Sequence, residues 1–253
     1  MPKNHELPRK FVLEDKKVLL FDLNGTLQDE EATGRACLKE VFSEWTGRWL
    51  DEQGSQLDLL WSGFQNARAK HVREEPGQRL QLALLGAVQA AQLPLPNMDG
   101  IVKHMAARYR KLRAETALPH DGMPEVLARL AGRYTLACVS NGTRARTAQR
   151  LQLLQLETLF PPERRFDAET LRARKPLRRF FAQALRSLRV EPHEAVVIGD
   201  SWRRDAAGAA ACGIDAVWLN VRRAKKPSQP LTRGKAVIAE AESAGALARL
   251  LGL

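Results

Sequence analysis

The chain has 253 residues, 44% of them hydrophobic, and a formal net charge of +11 from 40 Lys and Arg against 29 Asp and Glu. That is enough to bury a sizeable core in one large domain or two moderate ones. No apolar run of about eighteen residues is present to span a bilayer, and the polar start of the chain lacks the apolar segment of a secretory leader.

Residues 1–16 read as an arm lying over the surface or partly disordered. A short apolar strand over 18–21 follows and stops at Asp22, a turn-prone Asn24-Gly25 pair and Thr26. A run of this length bounded by turn signals fits the interior of a parallel sheet. The pattern then becomes helical, with expected helices over 30–45, 56–72, 78–92 and 98–117. Gly54-Ser55, Pro76-Gly77, Pro94 and Pro96 separate them. These four helices, with no strand between them, make an inserted helical domain over 28–118. Its Trp45, Trp49 and Trp61 read as helix-packing core, and Arg35, Arg48, Arg68 and Trp49 are candidate ligand contacts.

From Pro119 strand and helix alternate. Strands are expected over 134–139, 195–198, 216–219 and 237–238. Helices are expected over 123–132, 144–154, from Lys175-Pro176 to 188, over 205–212 and over 244–251. Alternation at this spacing means right-handed crossovers, hence an α/β fold: a Rossmann-like, doubly wound parallel sheet over 17–27 and 119–253. The three cysteines, Cys37, Cys138 and Cys212, are far apart without CxxC spacing. They read as buried free thiols of a cytoplasmic protein.

Three expected strands end in polar residues: Asp22, Ser140-Asn141 and Gly199-Asp200. A parallel sheet sets such ends side by side, where open α/β sheets bind ligands. The residue types suit phosphoryl transfer. One carboxylate can attack as a nucleophile, and a second beside it suits Mg2+, a hard cation that takes oxygen ligands. Ser140, the backbone of Asn141 and Gly142, and Lys175 can hold phosphoryl oxygens. Each is also an ordinary turn residue, surface lysine or helix cap when taken alone. The basic excess fits the same reading, as a solvated surface around an anion site. Its clusters, Arg172–Arg179 and Arg222–Lys226, come with no nucleic-acid motif, so neither nucleic acid nor a membrane is expected as partner. Nothing in the chain specifies an oligomeric state.

Over 17–253 the chain resembles the haloacid dehalogenase-like (HAD) hydrolases, of the phosphatase type with a helical cap. The resemblance rests on Phe21-Asp22-Leu23-Asn24-Gly25-Thr26-Leu27, Val139-Ser140-Asn141-Gly142, Lys175-Pro176 and Ile198-Gly199-Asp200-Ser201 with Asp205. It implies an aspartyl-phosphate on Asp22 and a small phosphorylated substrate. Mg2+ would be held by Asp22, the backbone carbonyl of Asn24 and Asp200, with Asp205 behind them. Thr26, Ser140, Asn141, Gly142 and Lys175 would bind phosphate, and the segment 28–118 would be the cap that closes over the substrate.

One position departs from that pattern. Family phosphatases carry an acid two residues after the nucleophile, to protonate the leaving oxygen and then activate water. Here it is Asn24, whose amide can hydrogen-bond that oxygen but cannot exchange a proton in that role. Four readings follow: a slow or specialised phosphatase, an engineered Asp→Asn change, a phosphate-ligand binding protein without turnover, and a metal-independent carbon–halogen hydrolase. The motif-four acids, Asp200 and Asp205, argue against the last.

Overall fold

A computed structural model describes residues 11, 13–47, 55–93, 98–225 and 236–253. Arg48, Trp49 and Lys226, and most of the segment 1–16, lie outside the described residues. Six parallel strands form one sheet in the order β3-β2-β1-β4-β5-β6. They are β1 (Val18–Asp22), β2 (Thr135–Ser140), β3 (Arg165–Asp167), β4 (Ala195–Gly199), β5 (Asp215–Leu219) and β6 (Ile238–Ala241). The first strand is thus central, and the order steps from β1 to β2 on one side and to β4 on the other. A sheet of this kind has its switch point between those strands, which is where its ligand crevice opens.

The strands are apolar on both faces because both are covered. Val18, Leu20, Ala137, Val139, Val197, Ala216 and Trp218 join Phe180, Phe181, Ala184 and Leu185 of α7 (Arg178–Leu188) in one buried cluster. The alternate residues, Leu19, Phe21, Leu136, Cys138, Val196, Ile198 and Val217, are buried on the other face. There Phe21 meets Phe160 edge-on at 6.2 Å between ring centres. Also in this unit are α5 (Met123–Ala131), α6 (Arg144–Leu153), α8 (Ala207–Ala210) and α9 (Ala244–Leu250). The core strand Asp215–Leu219 is tied to the chain's start by Lys16. That ammonium is buried and donates to Asp215 Oδ2 at 2.6 Å, while Val237 N–H reaches Asp215 Oδ1 at 2.7 Å. Lys16 is therefore part of the interior, where a surface position was expected.

Residues Glu30–Ala117 form a second compact unit. It contains α1 (Glu30–Thr46), α2 (Ser55–Lys70), α3 (Pro76–Ala90) and α4 (Met98–Glu115). Its core is built from Leu38, Val41, Phe42, Leu60, Trp61, Phe64, Leu84, Met105 and Tyr109. The α2–α3 pair packs backbone to backbone: a Cβ on Gly63 would sit 2.3 Å from the Gly86 carbonyl oxygen. Trp61 is buried and stacked on Phe64, but Trp45 is 39% exposed and belongs to no core. Of the two arginines proposed as contacts that are described, Arg35 is ion-paired to Asp58.

Three further expectations are corrected. Arg165–Asp167 is a strand, where a loop was expected. Lys175-Pro176 does not open a helix; α7 begins at Arg178, because residues 174–177 close a turn through Leu177 N–H to the Arg174 carbonyl at 2.8 Å. That turn carries a cis Lys175–Pro176 peptide and leaves Lys175 facing inward, 4% exposed. Finally, the helix expected over 205–212 starts earlier, as a π-helical turn at Trp202–Ala206, and becomes α-helical only at Ala207.

The candidate active site

The carboxyl ends of β1, β2 and β4 bring together residues far apart in sequence. Lys175 Nζ lies 2.5 Å from Asp22 Oδ1, 2.7 Å from Asp205 Oδ1 and 3.0 Å from the Val139 carbonyl. Asp22, Asp200 and Asp205 each offer a carboxylate oxygen within 4.8 Å of the others. Two buried carboxylates therefore share one buried ammonium, with a third carboxylate beside them. Desolvation, offset in part by Lys175 and reinforced by the charges of Asp205 and Asp200, pushes Asp22 up to about 7. Burial also raises Asp200, with Asp205 adding to the effect. Lys175 is raised despite its own burial, because Asp22 and Asp205 hold its proton.

Each acid is positioned by backbone. Asp205 is 1% exposed, and its Oδ2 accepts the Ser201 N–H at 3.0 Å. With Oδ1 on Lys175, both of its oxygens are engaged. Asp200 is fixed by its own main chain: its N–H donates to Thr26 Oγ1 at 3.0 Å and its carbonyl accepts from Trp218 Nε1 at 2.8 Å. Its side chain lies against Gly25, where a Cβ would fall 2.4 Å from Asp200 Oδ2, and Gly25 has φ +88°. Only glycine fits such a position without strain. Asp200 Oδ1 is buried and has no hydrogen-bond partner. Buried acceptors are normally satisfied, so an orphaned carboxylate oxygen beside two further carboxylates fits a bound cation.

The β2 end supplies the other side. Asn141 Nδ2 donates to the Lys175 carbonyl at 3.0 Å, and Lys175 N–H returns to Asn141 Oδ1 at 2.8 Å. Gly142 N–H donates to Ser140 Oγ at 3.0 Å, and Ser140 is nearly fully buried. Thr26, expected to touch phosphate, has no exposed surface, and its hydroxyl oxygen accepts the Asp200 N–H. Asn24 is exposed.

His120 is a residue the sequence reading missed. Its Nε2 lies 3.0 Å from the Gly25 carbonyl and its Nδ1 3.2 Å from Asp29 Oδ2. Both partners are acceptors, so the ring serves both only as imidazolium. Burial lowers its pKa, but the hydrogen bond and charge of Asp29 and the Gly25 carbonyl outweigh that and leave it raised. A lone histidine after a proline carries no spacing signal. Its importance comes from a contact 95 residues away in sequence.

The model of one family, the haloacid dehalogenase-like hydrolases, matches residues 16–213. The chain belongs to that family. It is 29% identical over 209 residues to a glyceraldehyde 3-phosphate phosphatase of Pyrococcus furiosus, covering 80% of each chain. It is 28% identical over 209 residues to a glyceraldehyde 3-phosphate phosphatase of Methanothermobacter thermautotrophicus, covering 81% of this chain and 85% of that one. Among solved structures, the HAD-hydrolase YfnB from Bacillus subtilis, determined bound to magnesium, superposes with a TM-score of 0.63 at 18% identity. That match covers 94% of this chain and 99% of YfnB, a likeness of fold. No described helix is long and apolar enough to cross a membrane.

Proposed function

We propose that this hydrolase is a Mg2+-dependent phosphatase of a small phosphorylated metabolite, working through an aspartyl-phosphate on Asp22. The observation that carries the reading is the meeting of Asp22, Asp200 and Asp205 within 4.8 Å around Lys175. The names of the two similar phosphatases support it, and a three-carbon phosphate is the substrate class to try first. Asp22, Asp200 and the Asn24 carbonyl would hold Mg2+, and the orphaned Asp200 oxygen fits that role. Bound there, the ion would neutralise the crowded carboxylates and polarise the phosphoryl oxygens.

An Asp22 carboxylate oxygen attacks phosphorus in line with the leaving oxygen. The P–O bond to the alcohol breaks as the Asp22 O–P bond forms. Lys175 stays protonated throughout and faces the charge that moves from Asp22 onto the phosphoryl group. Ser140 and the backbone amide of Asn141 hold the remaining oxygens, Gly142 N–H fixes the Ser140 hydroxyl, and Asp205 keeps Lys175 aimed. The leaving oxygen takes its proton from solvent, since Asn24 has none to give. Water then attacks the aspartyl-phosphate, releasing inorganic phosphate and restoring the carboxylate. Both proton transfers lack a general acid–base partner, so turnover is slow and favours good leaving groups.

The test is phosphate release from p-nitrophenyl phosphate and triose phosphates with Mg2+. Slow release that stops with a chelator, and in Asp22→Asn, is the expected result. The alternative, a phosphate-ligand binding protein without turnover, rests on the Asn24 amide. It prevails if neither the chain with Asn24 nor Asn24→Asp releases phosphate from any of these substrates.

A further inference from the structure

Beside the β2 end lies a cavity of about 600 Å³, lined in part by Asn141, Gly142, Arg146, Glu169, Arg172 and Arg174. Its volume is that of a small-molecule site. We propose that it is a second anion subsite, taking a carboxylate or further phosphate on the same substrate whose phosphoryl group meets Asp22. The inference rests on the phosphatase reading and narrows its substrates to those bearing a second anionic group besides the phosphoryl group.

Three observations support it. The first is charge. Three arginines face one acid, Glu169, and that carboxylate already accepts the Arg144 backbone N–H at 2.9 Å. Among the described residues none of these three guanidinium groups is ion-paired. Arg174 only leans on the Asn141 carbonyl, at 3.5 Å. Planar guanidinium donors match carboxylate and phosphate oxygens bidentately, which makes the cluster selective for such groups over a simple positive surface.

The second is reach. Arg174 and Lys175 are consecutive, so their Cα atoms are about 3.8 Å apart. Asn141, in the cavity wall, is bonded in both directions to the Lys175 backbone. The arginine cluster and the lysine that faces Asp22 are therefore carried on one hydrogen-bonded piece of backbone.

The third is backbone. Arg172 adopts φ +46°, a left-handed conformation uncommon for a residue with a Cβ. Such positions persist where the surroundings hold them and concentrate at ligand clamps. Here the conformation sits at the rim of the basic cavity.

The experiment compares two phosphonates that cannot be hydrolysed, so it does not depend on turnover. Binding of 3-phosphonopropionate and of propylphosphonate to the full chain with Mg2+ is measured by calorimetry. The wild type is expected to bind the carboxylate-bearing compound at least about tenfold more tightly, the worth of one charge-assisted contact. In Arg146→Gln/Arg172→Gln that advantage should shrink to about twofold or less. Both side chains are exposed, and circular dichroism checks that the double variant folds. Equal affinities in the wild type, or an advantage that survives the double substitution, overturn the subsite while leaving the phosphatase reading intact. Binding of neither phosphonate overturns both.

Discussion

Gly25 and Asp200 touch so closely that no side chain fits between them: an added Cβ would lie 2.4 Å from Asp200 Oδ2. The glycine thus sets how near the motif-four carboxylate comes to Asp22, and it does so at φ +88°, where an L side chain is strained. Gly25→Ala has to displace Asp200 or the turn. A misplacement on the order of 1 Å at a reacting centre costs about 10²-fold. We expect phosphate release to fall by about that factor and Mg2+ titrations to shift to higher concentration. Kinetics and Mg2+ affinity within about twofold of the natural chain would remove Gly25 from this role.

Asn24→Asp should raise kcat. The position is exposed, so a carboxylate there carries little desolvation penalty, and general acid–base assistance contributes ~10²–10⁴-fold. The gain should be largest for substrates with poor leaving groups, whose alkoxide most needs a proton, and smallest for aryl phosphates. Comparing alkyl and aryl phosphates in both chains checks this. An equal gain for both classes contradicts the role assigned to residue 24.

The His120 contacts imply a pH dependence of stability. Its folded pKa is raised above the ordinary 6.5, so the folded chain binds more protons than the unfolded one in this range. The stabilisation is fully present below pH 6.5 and is lost as pH rises through the folded value. Urea midpoints at about pH 6 and about pH 8 should differ more in the natural chain than in His120→Gln, which cannot take the second proton. The same difference in both chains would assign the effect to other groups.

Much of this layout was legible in the sequence, and for a physical reason. Strand ends of a parallel sheet are adjacent whatever their separation along the chain, so Asp22, Ser140 and Asp200 could be put in one place from alternation alone. Periodicity gave the helices to within a turn, but a three-residue strand such as Arg165–Asp167 has too few positions to show a period. The turn at 174–177 looked like a helix start because proline favours both settings. Thr26 has a single polar atom, and nothing local says whether it points outward to a ligand or inward to the Asp200 amide. Lys16–Asp215 and His120–Gly25 are pairings across 199 and 95 residues, and an isolated lysine or histidine carries no mark of its distant partner.

Lys16 nevertheless supports a direct test. Its ammonium and the Asp215 carboxylate are almost fully buried. Removing one member of a buried pair leaves an uncompensated charge, typically costing about 3–5 kcal/mol. Lys16→Met should lower stability by roughly that amount, and adding Asp215→Asn should recover part of it by removing the stranded charge. Urea denaturation of the two variants measures both steps. A loss below about 0.5 kcal/mol for the single change would mean the pair contributes little.

The connections into and out of the helical insertion run side by side. Asp29 N–H donates to the Leu118 carbonyl at 2.8 Å, Gln28 bridges Pro119, and His120, the next residue, clasps Asp29. The sheet-bearing unit thus closes its own seam before the excursion begins, and none of its six strands depends on residues 30–117 for pairing. Topologically the insertion is a cassette: its two ends are already in register, and a short bridge across them would ask less closure entropy of the chain than the natural excursion does. Lineages of such a protein can therefore lengthen, shrink or exchange the helical segment while the carboxylates around Lys175 stay where they are.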